Sequence, residues 1–210
     1  MRYTGNAYDL NTGNFLYSEN HSEFYENNRH IYSRVSYQYK DGKEFASKFI
    51  RFASSKTQPT YELRDLRDGY VEGIKRNKQG TLYYLQKNFK EALNEKKITT
   101  PQPAVFDAGF DYFVRENFDA ICSGINKSFY FAVPSKLDYY KFRLVRQNEK
   151  PLCRVNLEVQ NILLRQLVKP IKLWYDMKTK RLLKYEGISN INGPDSKSLK
   201  VRIIFSYPKK

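Results

Sequence analysis

Hydrophobic and polar side chains alternate along most of this chain, as they do in half-buried β-strands. Between Ile31 and Tyr39, for example, the larger apolar groups occupy every second position. Glycine-containing turns separate such segments in the first 87 residues, at Thr12-Gly13-Asn14, Asp41-Gly42, Asp68-Gly69 and Gln79-Gly80. Glycine supplies the positive φ that tight hairpins require. The pattern therefore predicts an antiparallel meander.

One segment departs from this alternation and predicts an amphipathic helix over about residues 107–123. Its apolar side chains recur at three- and four-residue spacing: Phe110, Phe113, Val114, Phe118, Ile121 and Cys122. Asp107 is the expected N-cap and Gly124 the expected helix stop. A polar connection with two prolines, residues 87–103, precedes the helix. A second apolar segment, Ile162–Val168, predicts one or two helical turns before Pro170.

Strand-like alternation resumes after the long helix and continues to Tyr207, which brings the expected number of strands to roughly ten to twelve. So many antiparallel strands would leave exposed edges unless the sheet curls or closes. We therefore expect a mainly β fold in one domain, residues 1–210. It would be a curled antiparallel sheet or half-open barrel with the amphipathic helix packed in or across it.

The composition fits a folded domain with a basic surface. Of the 210 residues, 40% are hydrophobic and 16% aromatic, which argues against disorder. The net charge is +15, from 37 basic and 22 acidic residues, and favours anionic partners such as a membrane surface or nucleic acid. Because the basic residues are spread along the chain, a solvated surface is favoured over a nucleic-acid footprint.

Signs of metal binding or nucleophilic catalysis are weak. Cys122 and Cys153 lack the spacing of a zinc site, so we expect no metal and no cofactor. They could form one bridge, but two independent buried thiols are the favoured interpretation. His21 and His30 are the only histidines, and no G-x-S-x-G motif accompanies them.

The densest polar cluster contains three carboxylates, Asp65, Asp68 and Glu72, with Arg64 and Arg67 close by. One interpretation is a hydrolase that uses these groups for acid–base chemistry. The other is a hairpin turn whose acids and arginines pair at the surface. Alternating charges around an Asp-Gly turn favour the second interpretation.

Aromatic side chains on both faces of several strands raise the question of a ligand cavity. Basic side chains beside an apolar cavity would suit an amphiphile with an anionic head group. The candidate ligand-binding residues are Phe110, Phe113, Val114 and Phe118 from the helix, with Tyr140 and Phe142 opposite. The alternative is a thick aromatic core with Tyr hydroxyls at its rim.

Three stretches of the sequence resemble a known family: Ala7–Gly13 with Leu16–Glu19, Phe113–Asp119, and Leu183–Ile191. They are similar to proteobacterial envelope proteins of unknown function, which are in turn similar to the curled-sheet lipoprotein carriers LolA and LolB. The resemblance implies that fold and binding of a lipid, acyl chain or lipoprotein around the helix. It implies no catalytic residues.

The resemblance also implies a location in the periplasm or at the outer membrane, after removal of an export signal. No stretch approaches the roughly 20 apolar residues of a membrane-spanning helix. Strand-like sequence begins at Arg2, which suits a processed envelope protein and a cytoplasmic protein equally. The sequence leaves the ligand and the oligomeric state open.

Overall fold

The computed structural model describes residues 1–53, 55–88, 90–162, 169–194 and 197–208. Its strands are β1 Arg2–Asp9, β2 Phe15–Glu26, β3 Arg29–Gln38, β4 Glu44–Arg51, β5 Thr60–Asp65, β6 Val71–Arg76, β7 Leu82–Lys87, β8 Asn94–Lys97, β9 Ala104–Val105, β10 Lys127–Val133, β11 Asp138–Gln147, β12 Cys153–Val159, β13 Ile171–Tyr175, β14 Leu182–Asn192 and β15 Ser198–Ser206. Two short helices, α1 Gly109–Glu116 and α2 Phe118–Cys122, lie between β9 and β10.

Within the described residues, all fifteen strands form one open, curled sheet, in the order β8-β7-β6-β5-β4-β3-β2-β1-β15-β14-β13-β12-β11-β10-β9. Neighbouring strands are antiparallel, except that β9 and β10 are parallel. The predicted fold class is therefore confirmed. Of the helical turns predicted for Ile162–Val168, all but the first residue, that is residues 163–168, lie outside the described residues.

The predicted number of strands was too low, mainly because β8 carries no apolar signal. Its four residues, Asn94-Glu95-Lys96-Lys97, are all exposed at one edge of the sheet. Charged side chains at an edge discourage pairing with another chain, and they also remove the alternation by which a strand is recognised. At the opposite edge, β9 has only two residues, too few to show a period.

The alternation of side chains distinguishes an inner and an outer face of the curl. On β4, Ala46 and Ile50 are buried on the inner face, whereas Phe49 and Arg51 are exposed on the outer face. The predicted hairpin turns are also present. Gly42 and Gly69 have φ of 85° and 74°, a conformation that a side chain would strain.

The predicted helix is interrupted at Asn117 and begins differently from the prediction. The Asn117 side-chain amide donates to the Phe113 carbonyl over 2.9 Å, and its φ of −106° separates α1 from α2. Asp107 is not the N-cap: its φ is 38°, and its carboxylate pairs with Lys48 of β4 instead. Gly124, with φ of 103°, ends the helical segment as predicted.

Helix α1 packs inside the curl, as expected. Phe113 and Val114 are buried against residues of β9–β13. On its other side, the Tyr112 hydroxyl lies 2.8 Å from Nδ1 of His30, at the start of β3. Gly109 passes so close to the 55–59 segment that a Cβ there would lie 2.1 Å from the Thr57 carbonyl oxygen.

Cys122 and Cys153 form a disulfide, which corrects the expectation of two independent thiols. Cys122 ends α2 and Cys153 begins β12 on the inner face, with their Cα atoms 5.7 Å apart. Nothing in the local sequence reveals this proximity, because it depends on where the helix docks. A hydrogen bond from the Arg146 guanidinium of β11 to the Cys122 carbonyl also connects the end of α2 to the sheet.

Removing this crosslink should destabilise the protein. The two cysteines are 31 positions apart. Constraining a loop of that length in the unfolded chain is worth about 3–4 kcal/mol. We expect Cys122→Ser/Cys153→Ser to lower the free energy of unfolding in urea by that amount. Dithiothreitol should lower the stability of wild type by the same amount and leave that of the double variant unchanged. If wild type and the double variant are equally stable without reductant, the crosslink is contradicted.

Candidate functional site

The helical residues predicted to bind a ligand belong largely to the hydrophobic core. Phe113, Val114 and Phe118 are all buried. The Phe113 ring centroid lies 4.7 Å from that of Phe129 on β10, and the Phe118 ring meets Tyr175 of β13 edge-on at 6.1 Å. These contacts fill the space between helix and sheet, so these three side chains are covered by the protein itself.

Beside this core, a row of half-buried aromatic rings stands on the inner face. Phe110 of α1 lies 6.4 Å from Phe131 of β10, and Phe131 lies 6.1 Å from Phe142 of β11, measured between ring centroids. Tyr140, also half-buried, pairs with Phe131 across the β10–β11 register. We call Phe110, Phe131, Tyr140 and Phe142 the inner lip. It is an apolar surface that is continuous with the core and accessible from outside.

The structure thus brings together most of the predicted site. Five of the six residues belong to one apolar cluster: Phe110, Phe113, Val114, Phe118 and Phe142. Tyr140 lies outside that cluster and joins it through β10. The sequence-based prediction missed Phe129 and Phe131. Their alternation on β10 was a sufficient signal, since it places both on the same face.

A buried ion pair anchors the chain at the entrance to α1. Lys48 Nζ lies 2.8 Å from Asp107 Oδ1, and the two side chains are only 12% and 14% exposed. Burial alone would lower the pKa of Lys48, but the Asp107 carboxylate outweighs burial and raises it. Since breaking a buried pair leaves an uncompensated charge, this contact fixes the position of the segment before the helix.

Glu72 is a buried acid on the inner face of β6. It is 7% exposed and accepts a hydrogen bond from the Tyr70 hydroxyl over 2.9 Å. Burial raises the pKa of Glu72 to about 7, and the negative charge of Asp107 acts in the same direction. The Tyr70 hydrogen bond and the positive charge of Lys48 oppose the shift. Glu72 therefore changes its charge near neutral pH.

The three carboxylates of the predicted cluster take part in different networks. Asp65 binds the Arg67 guanidinium through both oxygens, at 2.9 and 2.5 Å. The Asp68 carboxylate accepts a hydrogen bond of 2.9 Å from the backbone N–H of Tyr70 and so stabilises the turn. For these two acids the turn interpretation fits, although Asp65 is buried. Glu72 differs, because it lies inside the curl and not in a surface pair.

The side of α1 away from the core is polar. Asp111 and Arg115 form an ion pair of 2.8 Å, with 40% and 36% of their side chains exposed. Although 40% of its side chain is exposed, the protein around Asp111 partly removes its carboxyl from water and raises its pKa, while Arg115 opposes the rise. The Tyr175 hydroxyl is buried and has no hydrogen-bond partner among the described residues. Burial and the negative charge of Asp111 raise its pKa, whereas the positive charge of Arg115 lowers it. The Asp111–Arg115 pair is therefore the partly exposed polar part of α1, whereas the Tyr175 hydroxyl is enclosed.

A stack of three rings lies at the end of β1, β2 and β15. The Tyr3 ring stacks on His21 at 4.3 Å and on Tyr207 at 4.9 Å. These residues and Arg2 contribute to the lining of a cavity of about 540 Å³. Burial raises the pKa of the Tyr3 hydroxyl. His21, one of the two histidines considered for catalysis, is therefore part of an aromatic stack.

The outer face carries much of the basic charge in local pairs. Lys184 Nζ lies 3.5 Å from the centroid of the Trp174 ring, and Arg154 covers the same ring at 5.2 Å. Arg154 also pairs with Glu149 at 2.8 Å.

In the part of the chain that the structure describes, no group of three metal-binding side chains comes together, and no helix has the length and hydrophobicity to cross a membrane.

Comparisons with known proteins add little to this geometry. No protein-family model matches the chain, and no curated protein matches it. Among solved structures, the chain is similar to a DUF1329 family protein from Desulfovibrio piger, with 12% identity and a TM-score of 0.30 over 98% of this chain and 82% of that chain. At this TM-score we base no argument on the similarity, so the resemblance to LolA and LolB stays a prediction.

Glu72→Gln should reveal the buried acid through the pH dependence of stability. The pKa of Glu72 rises from 4.5 to about 7 on folding, so its stabilising contribution is complete below pH 4.5 and is lost as the pH rises through 7. The free energy of unfolding of wild type should therefore fall, relative to that of the variant, by about 3 kcal/mol between pH 4.5 and pH 8. Urea unfolding at several pH values measures this difference.

The matched control for this prediction is Glu62→Gln, on the outer face of the neighbouring strand β5. Glu62 is half exposed and pairs with Arg64 at the surface. This control should follow the wild-type pH profile. A constant difference in stability between Glu72→Gln and wild type over the whole pH range would show that Glu72 does not titrate in that window.

Proposed function

We propose that the protein is a non-enzymatic binding protein of the bacterial cell envelope, and that its ligand is an amphiphile: a lipid, an acyl chain or a lipoprotein. The observation that carries this proposal is the inner lip. Phe110, Phe131 and Phe142 stand on the inner face of the sheet, yet they are only half-buried. An apolar chain lying along them would remove the remaining ring surface from water and so gain hydrophobic free energy.

Polar groups elsewhere inside the curl support an amphiphilic ligand over a purely apolar one. The Asp111–Arg115 pair offers charged groups that are partly exposed, at 40% and 36%. The net charge of +15 favours an anionic head group. Apolar and polar surfaces within one curl match the two parts of such a molecule.

The disulfide supports the proposed location in the periplasm or at the outer membrane. Disulfides persist in oxidising compartments and are rare in the reducing cytosol. The Cys122–Cys153 bond therefore fits an exported protein better than a cytoplasmic one. The hydrolase alternative has weaker support, because two of its three acids, Asp65 and Asp68, stabilise a turn.

Removing the rings of the inner lip should weaken ligand binding. In Phe110→Ser/Phe142→Ser, two rings that would contact the ligand are lost, and the affinity for a fluorescent fatty acid should fall by about tenfold or more. Titration of delipidated protein measures this change, and native mass spectrometry of the protein purified from an oxidising compartment detects any lipid it carries.

Ile188→Ser/Ile204→Ser is the matched control, since it removes two apolar side chains from the outer face, where they are 46% and 38% exposed. It should bind the probe like wild type. Equal binding by Phe110→Ser/Phe142→Ser would show that the inner lip is not the site. If delipidated wild type binds no fatty acid and the purified protein carries no lipid, the proposed function is wrong.

A further inference from the structure

The outer face carries a set of exposed aromatic rings that the inner site does not use. Phe24 and Phe49 are 41% and 42% exposed. Between them lies Tyr32, whose ring centroid is 4.3 Å from that of Phe24 and 5.4 Å from that of Phe49. We call Phe24, Tyr32 and Phe49 the outer aromatic patch. Exposed rings in contact with one another mark an interaction surface more often than single exposed rings do.

This patch lies partly on a hairpin that projects from the sheet. Strand β2 continues to Glu26, whereas β1 pairs with it only as far as Ser22. On the other side, the pairing of β4 with β3 ends at Tyr32. Residues 24–29 therefore form an exposed end of this hairpin, although Arg29 and His30 still contact residues 52–53, which follow β4. The hairpin turns at Asn27 and Asn28, with φ of 47° and 61°, and places Phe24 near its tip.

Guanidinium groups flank the aromatic rings. Arg51 lies over the Phe49 ring, 5.7 Å from its centroid, and no acid lies within ion-pair distance of it in the described residues. Arg29 is at the hairpin tip, where it donates to the Ala53 carbonyl. The surface therefore combines exposed rings with two guanidinium groups, and it also contains two acids: Glu62 lies opposite Phe49 in the β4–β5 register, and Glu26 lies opposite Arg29 in the β2–β3 register.

We propose that the outer aromatic patch docks the protein on an anionic phospholipid bilayer. Aromatic rings are favoured at the boundary between head groups and acyl chains, and Arg side chains bind phosphate oxygens there. The net charge of +15 attracts the whole molecule to such a surface. The projecting hairpin would let Phe24 enter the bilayer while the sheet remains outside it.

The stacking geometry favours a bilayer over single-stranded nucleic acid. Bases bind to open ring faces on a protein surface. Here the Phe24 and Tyr32 rings cover each other, at an interplanar angle of 16°. Each ring therefore has one face covered by the other, which suits insertion between lipids better than stacking with bases. The proposal does not depend on what occupies the inner lip.

Sedimentation of the full chain with vesicles tests this proposal. We expect binding to phosphatidylcholine vesicles that contain phosphatidylglycerol, and none to phosphatidylcholine alone. Phe24→Ser/Phe49→Ser should bind about tenfold more weakly. The control is Ile188→Ser/Ile204→Ser, which removes side chains of similar exposure, 46% and 38%, from the outer face of β14 and β15. It should bind like wild type, and circular dichroism confirms that each variant folds.

A fluorescence measurement then locates the bilayer contact. The chain has one tryptophan, Trp174, which is 4% exposed. Phe24→Trp should therefore show an added emission that shifts to the blue on anionic vesicles, whereas Ile188→Trp should not. Three results would overturn the proposal: no binding to anionic vesicles at low salt, wild-type binding by Phe24→Ser/Phe49→Ser, or binding to a single-stranded oligonucleotide that depends on Phe24 and Phe49 and excludes vesicles.

Discussion

The space inside a curled sheet has to be filled, and in this protein a short helical segment fills it. A sheet that buries only one face needs large side chains or another layer against that face. Phe113 and Phe118 supply the apolar volume, and the disulfide of Cys122, the Tyr112–His30 contact and the Lys48–Asp107 pair hold the segment in place. The inner lip and the polar side of α1 are the surfaces that this segment leaves uncovered.

The same interior tolerates charge only where a specific contact compensates for burial. Lys48 keeps its proton because Asp107 is adjacent, and the pair connects β4 to the start of α1. Among the described residues, Glu72 has a hydrogen bond only from the Tyr70 hydroxyl, and this does not offset burial, which raises the pKa of its carboxyl to about 7. The Lys48–Asp107 pair and Glu72 lie in the same low-polarity interior, which disfavours an uncompensated charge. The pKa of Lys48 is raised by its partner, whereas the pKa of Glu72 is raised by burial.

The fold class could be predicted because alternation is a local property of the chain, and so could the apolar side of α1. What could not be predicted depends on tertiary contacts. Asp107 is a residue type that is common at N-caps, but its carboxylate forms an ion pair with Lys48, which is distant in the chain. The disulfide follows from the docking of α2 on β12. Strand β8 lacks apolar residues, and Tyr140 lies beside the apolar cluster because register, not composition, determines its neighbours.

The pairing of β1 with β15 has a consequence for folding. Among the fifteen described strands these two come first and last along the chain, yet they are neighbours in the middle of the sheet, with Thr4 opposite Ser206. Until β15 pairs with β1, the hairpins from β1 to β8 have an open edge at β1, and such an edge can pair with another chain. Contacts this distant in sequence also form slowly. A partly folded chain is therefore exposed to intermolecular strand pairing until β15 has paired with β1, and a chaperone that covers the β1 edge would protect it.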